Sequence, residues 1–115
     1  MREFRLVEHD LRPGCRDIQV EGDLDLAVAK KLAAAIRRGV DHDVVLVDLQ
    51  DCDFIDSTAI AVIVQAYRER TENGKRFAVY GATRQVDRVL SISGLSNNGL
   101  VFENCREALR SVDRD

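Results

Sequence analysis

The sequence predicts an α/β fold with a mostly parallel central sheet, an antiparallel strand added at the N-terminus, and helices packed against the sheet. Three observations carry this reading. Short apolar runs alternate with segments of helical periodicity in the order β-β-α-β-α-β-α-β-α, which implies repeated right-handed strand-helix-strand crossovers. Val44-Val45-Leu46-Val47 followed by Asp48-Leu49 is an uninterrupted apolar run, as expected of a central strand covered on both faces. The first two strands are separated only by the turn signal Pro13-Gly14, so they are expected to pair antiparallel near a sheet edge.

In chain order, Phe4 and Leu6 alternate with Arg5, and Ile18 and Val20 alternate with Asp17, Gln19 and Glu21, the period of strands buried on one face. Gly22 is expected to end the second strand. Leu26, Ala29, Leu32, Ala33 and Ile36 predict a helix over Leu26–Arg38, opened by Asp23 or Asp25 and closed by Gly39 in a left-handed conformation. After the central strand, residues 51–56 are expected to form a loop. Ile60, Ile63, Val64 and Tyr67 mark the inner face of a second helix that Asn73-Gly74 ends. Phe77, Val79 and Tyr80 supply the next strand, and Thr83 caps a helix through Val86, Val89 and Leu90 that stops at Gly94. Leu100-Val101-Phe102 is a last short strand, and residues 103–112 form an amphipathic helix through Cys105, Ala108, Leu109 and Val112. Asp113-Arg114-Asp115 reads as a frayed tail, and one domain is expected over residues 1–115.

Composition narrows the function. The 115 residues are 45% hydrophobic and 32% charged, which suffices for one core with a polar exterior. Basic and acidic residues, 17 and 20, are interspersed to a net charge of −3, so the concentrated positive field of a direct nucleic-acid binder is missing. No apolar run reaches the roughly 20 residues of a membrane span, and Met1-Arg2-Glu3 begins no signal peptide, so a cytoplasmic protein with no membrane insertion is expected. Cys15, Cys52 and Cys105 are odd in number and widely spaced, and His9 and His42 are distant, so neither a disulfide framework nor a metal site is encoded. Cys15 and Cys105 read as small core residues, Cys52 as partly exposed in its loop, and the two histidines as surface residues.

In a parallel sheet, functional groups collect where strand C-termini meet helix N-termini. Two segments qualify: Gly22-Asp23-Leu24-Asp25 before the first helix, and Asp53-Phe54-Ile55-Asp56-Ser57-Thr58 before the second. They lie side by side if the second strand neighbours the central one. Asp56-Ser57-Thr58 admits two readings, simple capping of the helix or a phosphoacceptor hydroxyl whose phosphate the helix N-terminus would hold. A phosphate-accepting receiver domain lacks support, since the lysines are only Lys30, Lys31 and Lys75 and no Lys-Pro pair is present. A serine hydrolase lacks its G-x-S-x-G elbow, and no glycine-rich phosphate loop or cofactor motif occurs.

Val44–Leu49, then Phe54-Ile55-Asp56-Ser57-Thr58-Ala59, then a helix ending at Asn73-Gly74-Lys75 and a strand, closely resemble the STAS domain of anti-sigma factor antagonists. Gly22-Asp23-Leu24-Asp25 and Ser93-Gly94-Leu95 match two further elements of that family, so the resemblance spans nearly the whole chain. It implies a protein without catalysis of its own that binds a kinase-type anti-sigma factor, so releasing a sigma factor. It also implies phosphorylation at Ser57 by that partner, reversal by a phosphatase, and partner binding through Asp23, Asp25, Asp56, Ser57 and Thr58. The chain departs from the family at Ala59 and Ala61, where Gly is common and where a methyl would alter a partner's close approach. The competing role on the same fold is a docking subunit of a lipid-transport complex or a stress-signalling scaffold.

Overall fold

The computed structural model describes residues 4–95 and 99–113; the readings made for Met1-Arg2-Glu3 and Arg114-Asp115 lie outside them. Five strands form one sheet in the order β1-β2-β3-β4-β5. They are β1 (Arg5–Arg12), β2 (Cys15–Leu24), β3 (Val44–Ile55), β4 (Arg76–Tyr80) and β5 (Val101–Phe102). β1 and β2 pair antiparallel across the Pro13-Gly14 turn, and every other pairing is parallel. The helices are α1 (Leu26–Arg38), α2 (Ser57–Glu72), α3 (Arg84–Ile92) and α4 (Cys105–Val112).

Strand alternation sorts the core into two layers. Ile18, Val20, Val45, Val47, Leu49 and Phe77 point to the face covered by α1, α2 and α3, while Cys15, Val44, Leu46, Ala78 and Tyr80 point to the face covered by α4. All six residues of Val44–Leu49 are buried, in agreement with a strand covered on both sides.

Several local expectations are corrected. β2 does not stop at Gly22: a register shift between Gly22 and Asp23 absorbs the irregularity, and the strand continues to Leu24. The segment read as a loop after Leu49 is strand as far as Ile55, because the prolonged β2 supplies its hydrogen-bonding partner. Cys52 is therefore in the core, 0% exposed, and burial pushes its thiol pKa up to about 11. His42 is half-buried, with Nε2 3.2 Å from Asp10 Oδ1. Leu26 is 52% exposed, since the buried stripe of α1 is Val28, Ala29, Leu32, Ala35 and Ile36. In α2 the buried stripe is Ala59, Ile63, Ala66 and Arg70, while Ile60, Val64 and Tyr67 are only half-buried.

Gly39 is not left-handed; its φ is −92°. Its small size is what the fold uses, because a Cβ there would stand 3.0 Å from Val45 Cγ2. Arg70 closes the same end of the layer. Although buried, its guanidinium donates to the carbonyl oxygens of Arg76 (3.0 Å), Gly39 (3.1 Å) and His42 (2.6 Å), tying α2 to the ends of α1 and the starts of β3 and β4.

Candidate functional site

The prolonged strands β2 and β3 bring the two predicted segments together. Asp23 stands opposite Phe54 and Leu24 opposite Ile55, and the Asp56 N–H donates to the Leu24 carbonyl at 3.2 Å. Both strands then turn directly into helices on the same face, so α1 and α2 start side by side.

Each helix is opened by an aspartate. Asp25 Oδ1 accepts from the Val28 N–H at 3.2 Å, and Asp56 Oδ1 accepts from the Ala59 N–H at 3.0 Å. Each cap satisfies one of the N–H groups that a helix start leaves unpaired, a contribution of about 1 kcal/mol. The choice offered for α1 between Asp23 and Asp25 is thus resolved as Asp25. Because Asp56 does the capping, Ser57 is the first residue of α2 proper. It is exposed, and its hydroxyl has no hydrogen-bond partner among the described residues. Thr58 is half-buried and turns toward α1, lining the groove between the two helices. Asp23 is half-buried at the strand end.

Asp25 and Asp56 line one shallow depression together with Leu26, Ala27, Lys30 and Lys31. The five predicted residues therefore gather at one end of the molecule, where two helix N-termini carry partial positive charge that favours an anion. Of the two alanines that depart from the common pattern, Ala59 is fully buried beneath α2, whereas Ala61 is exposed and lines the interhelical groove. Only the methyl of Ala61 faces anything that approaches from outside.

Sequence reasoning missed two apolar side chains here. Phe54 is 42% exposed at the end of β3, and Leu26 is exposed at the start of α1. The signal for Leu26 is its angular position: it lies more than a hundred degrees from the centre of the buried stripe, on the same side of α1 as Ala33 and Arg37. Phe54 carried no such signal, since its direction follows from the register shift between β2 and β3.

Among the described residues no group of three or more His, Cys, Asp or Glu is placed to hold a metal ion, and no helix is long and apolar enough to cross a membrane. Cys15, Cys52 and Cys105 are free thiols. The buried polar cluster on the α4 face is internal: Tyr80 Oη donates to Asp17 Oδ1 at 2.9 Å, and His9 Nε2 lies 3.6 Å from Asp17 Oδ2.

The chain is similar to known proteins in sequence and in fold. The family described as "Mlab, STAS domain" matches residues 7–102. The anti-sigma-B factor antagonist of Listeria monocytogenes is 30% identical over 83 residues, covering 70% of this chain and 73% of that protein. In structure the chain is similar to an anti-sigma factor antagonist from Mycobacterium paratuberculosis, with a TM-score of 0.84 at 21% identity over 97% of this chain and 96% of that one. It is also similar to the Bacillus cell fate determinant SpoIIAA in its phosphorylated form, with a TM-score of 0.74 at 17% identity over 94% and 99%.

Proposed function

The chain belongs to the STAS domain family of anti-sigma factor antagonists, and from that premise we propose that it binds a kinase-type anti-sigma factor, releases a sigma factor, and is switched off by phosphorylation at Ser57. The observation that carries this reading is the division of labour at the start of α2. Asp56 supplies the cap, which leaves the Ser57 hydroxyl exposed and without a role in the fold. A phosphate there adds up to about two negative charges at the positive end of a helix, where it unfolds nothing. Its effect falls on a partner seated over Asp23, Asp25, Asp56 and Thr58, where a desolvated charge without a counter-charge costs several kcal/mol of affinity. The chain itself contributes no catalytic group in this reading; the kinase activity belongs to the partner, and a phosphatase restores the binding form.

The test is incubation of the purified chain with the anti-sigma kinase from the same genome and Mg-ATP, followed by mass spectrometry of the intact protein and its peptides. One phosphate, on Ser57, is the expected result, and Ser57→Ala should bind the kinase yet stay unmodified. Phosphate on Thr58, or none from a kinase that binds the chain, rejects the assignment. A docking role on a transport complex, the alternative that the sequence left open, is the second reading. Capture of a transporter ATPase and no anti-sigma factor by the tagged chain would favour it.

A further inference from the structure

α1 and α2 start at the same height, because the hydrogen bond from the Asp56 N–H to the Leu24 carbonyl ties the two helix starts together, and both helices leave parallel strands in the same direction. The side of α1 that faces α2 is marked by Ala33 and Arg37, which line the cleft between the helices with Thr58, Ala61 and Gln65. Lys30 stands three and seven residues before them, so it lies on the same stripe, one turn nearer the helix start. Lys31 is turned about 100° further round, and its Nζ lies 5.7 Å from the centre of the Phe4 ring.

A helical side chain leans toward the N-terminus of its own helix, and the flexible four-carbon stem of a lysine carries its charge back over the preceding turn. Lys30 does this. Although it is the fifth residue of α1, about 7.5 Å along the axis from Asp25, it lines one depression with both Asp25 and Asp56. Its ammonium is exposed and makes no ion pair or hydrogen bond among the described residues. The two carboxylates are in use, each accepting from a helix N–H through one oxygen. Ser57 follows Asp56 directly, so an uncommitted ammonium and an uncommitted hydroxyl flank the same cap.

We propose that Lys30 is the counter-charge of phosphorylated Ser57: once the hydroxyl carries a phosphate, the ammonium closes onto its oxygens and holds it over the starts of both helices. The inference rests on the function proposed above and specifies how its switch is held. Two helix N-termini favour an anion at this place, whereas Asp25 and Asp56 oppose one; the lysine supplies the charge-assisted bond that decides between them. One ammonium matches only part of a phosphate charge of up to about two, so the modified surface stays negative toward a partner. Phosphorylation also withdraws a free cation from that surface. In this way α1 takes part in a switch whose hydroxyl is on α2.

The test uses the whole chain with phosphoserine installed at position 57 during translation, which makes it independent of any kinase. Phosphorus NMR follows the phosphate through its second ionisation, ordinarily at about pH 6. A neighbouring ammonium favours the doubly charged phosphate, so the parent is expected to titrate at least about 0.3 pH unit below Lys30→Gln. That difference should shrink in about 1 M salt. Lys30→Arg should keep the parent's titration, and Lys31→Gln should move it less than Lys30→Gln does. Lys30 is exposed, so unmodified Lys30→Gln should melt with the parent. A phosphate that titrates alike in Lys30→Gln and the parent, or one that Lys31→Gln moves as far, overturns the assignment. If the kinase of the earlier test leaves Ser57 unmodified, the functional reading falls and the regulatory use of Lys30 with it. An unmoved titration in a chain that the kinase does modify rejects Lys30 alone.

Discussion

At the scale of single residues, Ser57 and Asp17 have opposite physical roles. Ser57 is a hydroxyl the fold leaves unused, so replacing it by Asp should barely touch stability. A carboxylate in the first turn gains about 0.3–1 kcal/mol from the helix dipole, partly offset by Asp56 beside it. Thermal melts of Ser57→Asp are expected within a few degrees of the parent, while affinity for the proposed kinase partner falls at least tenfold by calorimetry. Asp17, by contrast, is 2% exposed and contributes through its burial. Desolvation raises its pKa above its ordinary 3.8; Asp48 adds to the rise, while the Tyr80 hydroxyl and His9 oppose it. Burial, and then Asp17, push the Tyr80 hydroxyl upward. A carboxyl whose pKa is raised by folding stabilises the folded state fully below pH 3.8, and that contribution is lost as pH climbs through the folded value. Asp17→Asn keeps an oxygen to accept from Tyr80 and removes the buried charge. Denaturant titrations from pH 4 to 8 are expected to show the variant at least as stable as the parent at pH 7, with a flatter profile.

At the scale of elements, the ends of helices do more than their middles. Asp25, Asp56, Thr83 and Asn104 cap the four helices in order, each side chain accepting from the N–H three residues on. The far end of α2 depends on Arg70. Its pKa is lowered by burial, yet its three bonds to carbonyl oxygens let the guanidinium remain there as a clasp between α1, β3 and β4. Arg70→Ala would remove the guanidinium from three carbonyl oxygens, of which Gly39 O keeps its bond from the His42 N–H, and empty a buried site, a loss of about 3 kcal/mol. Arg70→Lys, whose ammonium lacks the planar fork, should recover only part of it. Chemical denaturation of both variants checks the order. On the opposite edge, Glu8 accepts from Arg38 and approaches Arg16, joining β1 to α1 and β2; its pKa is lowered chiefly by the Arg38 bond. That pair stabilises above the ordinary carboxylate range and fades as pH falls through the lowered value.

For the whole molecule, the sheet order predicts a gradient of protection. β3 is paired on both sides and covered on both faces, whereas β1 and the two-residue β5 are edges. Amide hydrogen exchange should be slowest in Val44–Leu49, faster in β1 and fastest at the described ends of the chain. Equal protection in β1 and β3 would contradict this ordering. The central strand was legible from its unbroken apolar run, the helices from their 3.6-residue period, and the meeting of two acidic segments at the helix starts from the order of strands and helices. These are local properties, because a short-range period reports which face of one element meets a core. What the sequence by itself determined was therefore the order and type of the elements and the residues that meet at the helix starts. Only the tertiary structure decided that β2 and β3 run on to Leu24 and Ile55, that Cys52 is core, that Gly39 is small for Val45 rather than left-handed, and that Phe54 is exposed. Each of those depends on what a neighbouring element places opposite. Side-chain period within one segment carries no record of that partner.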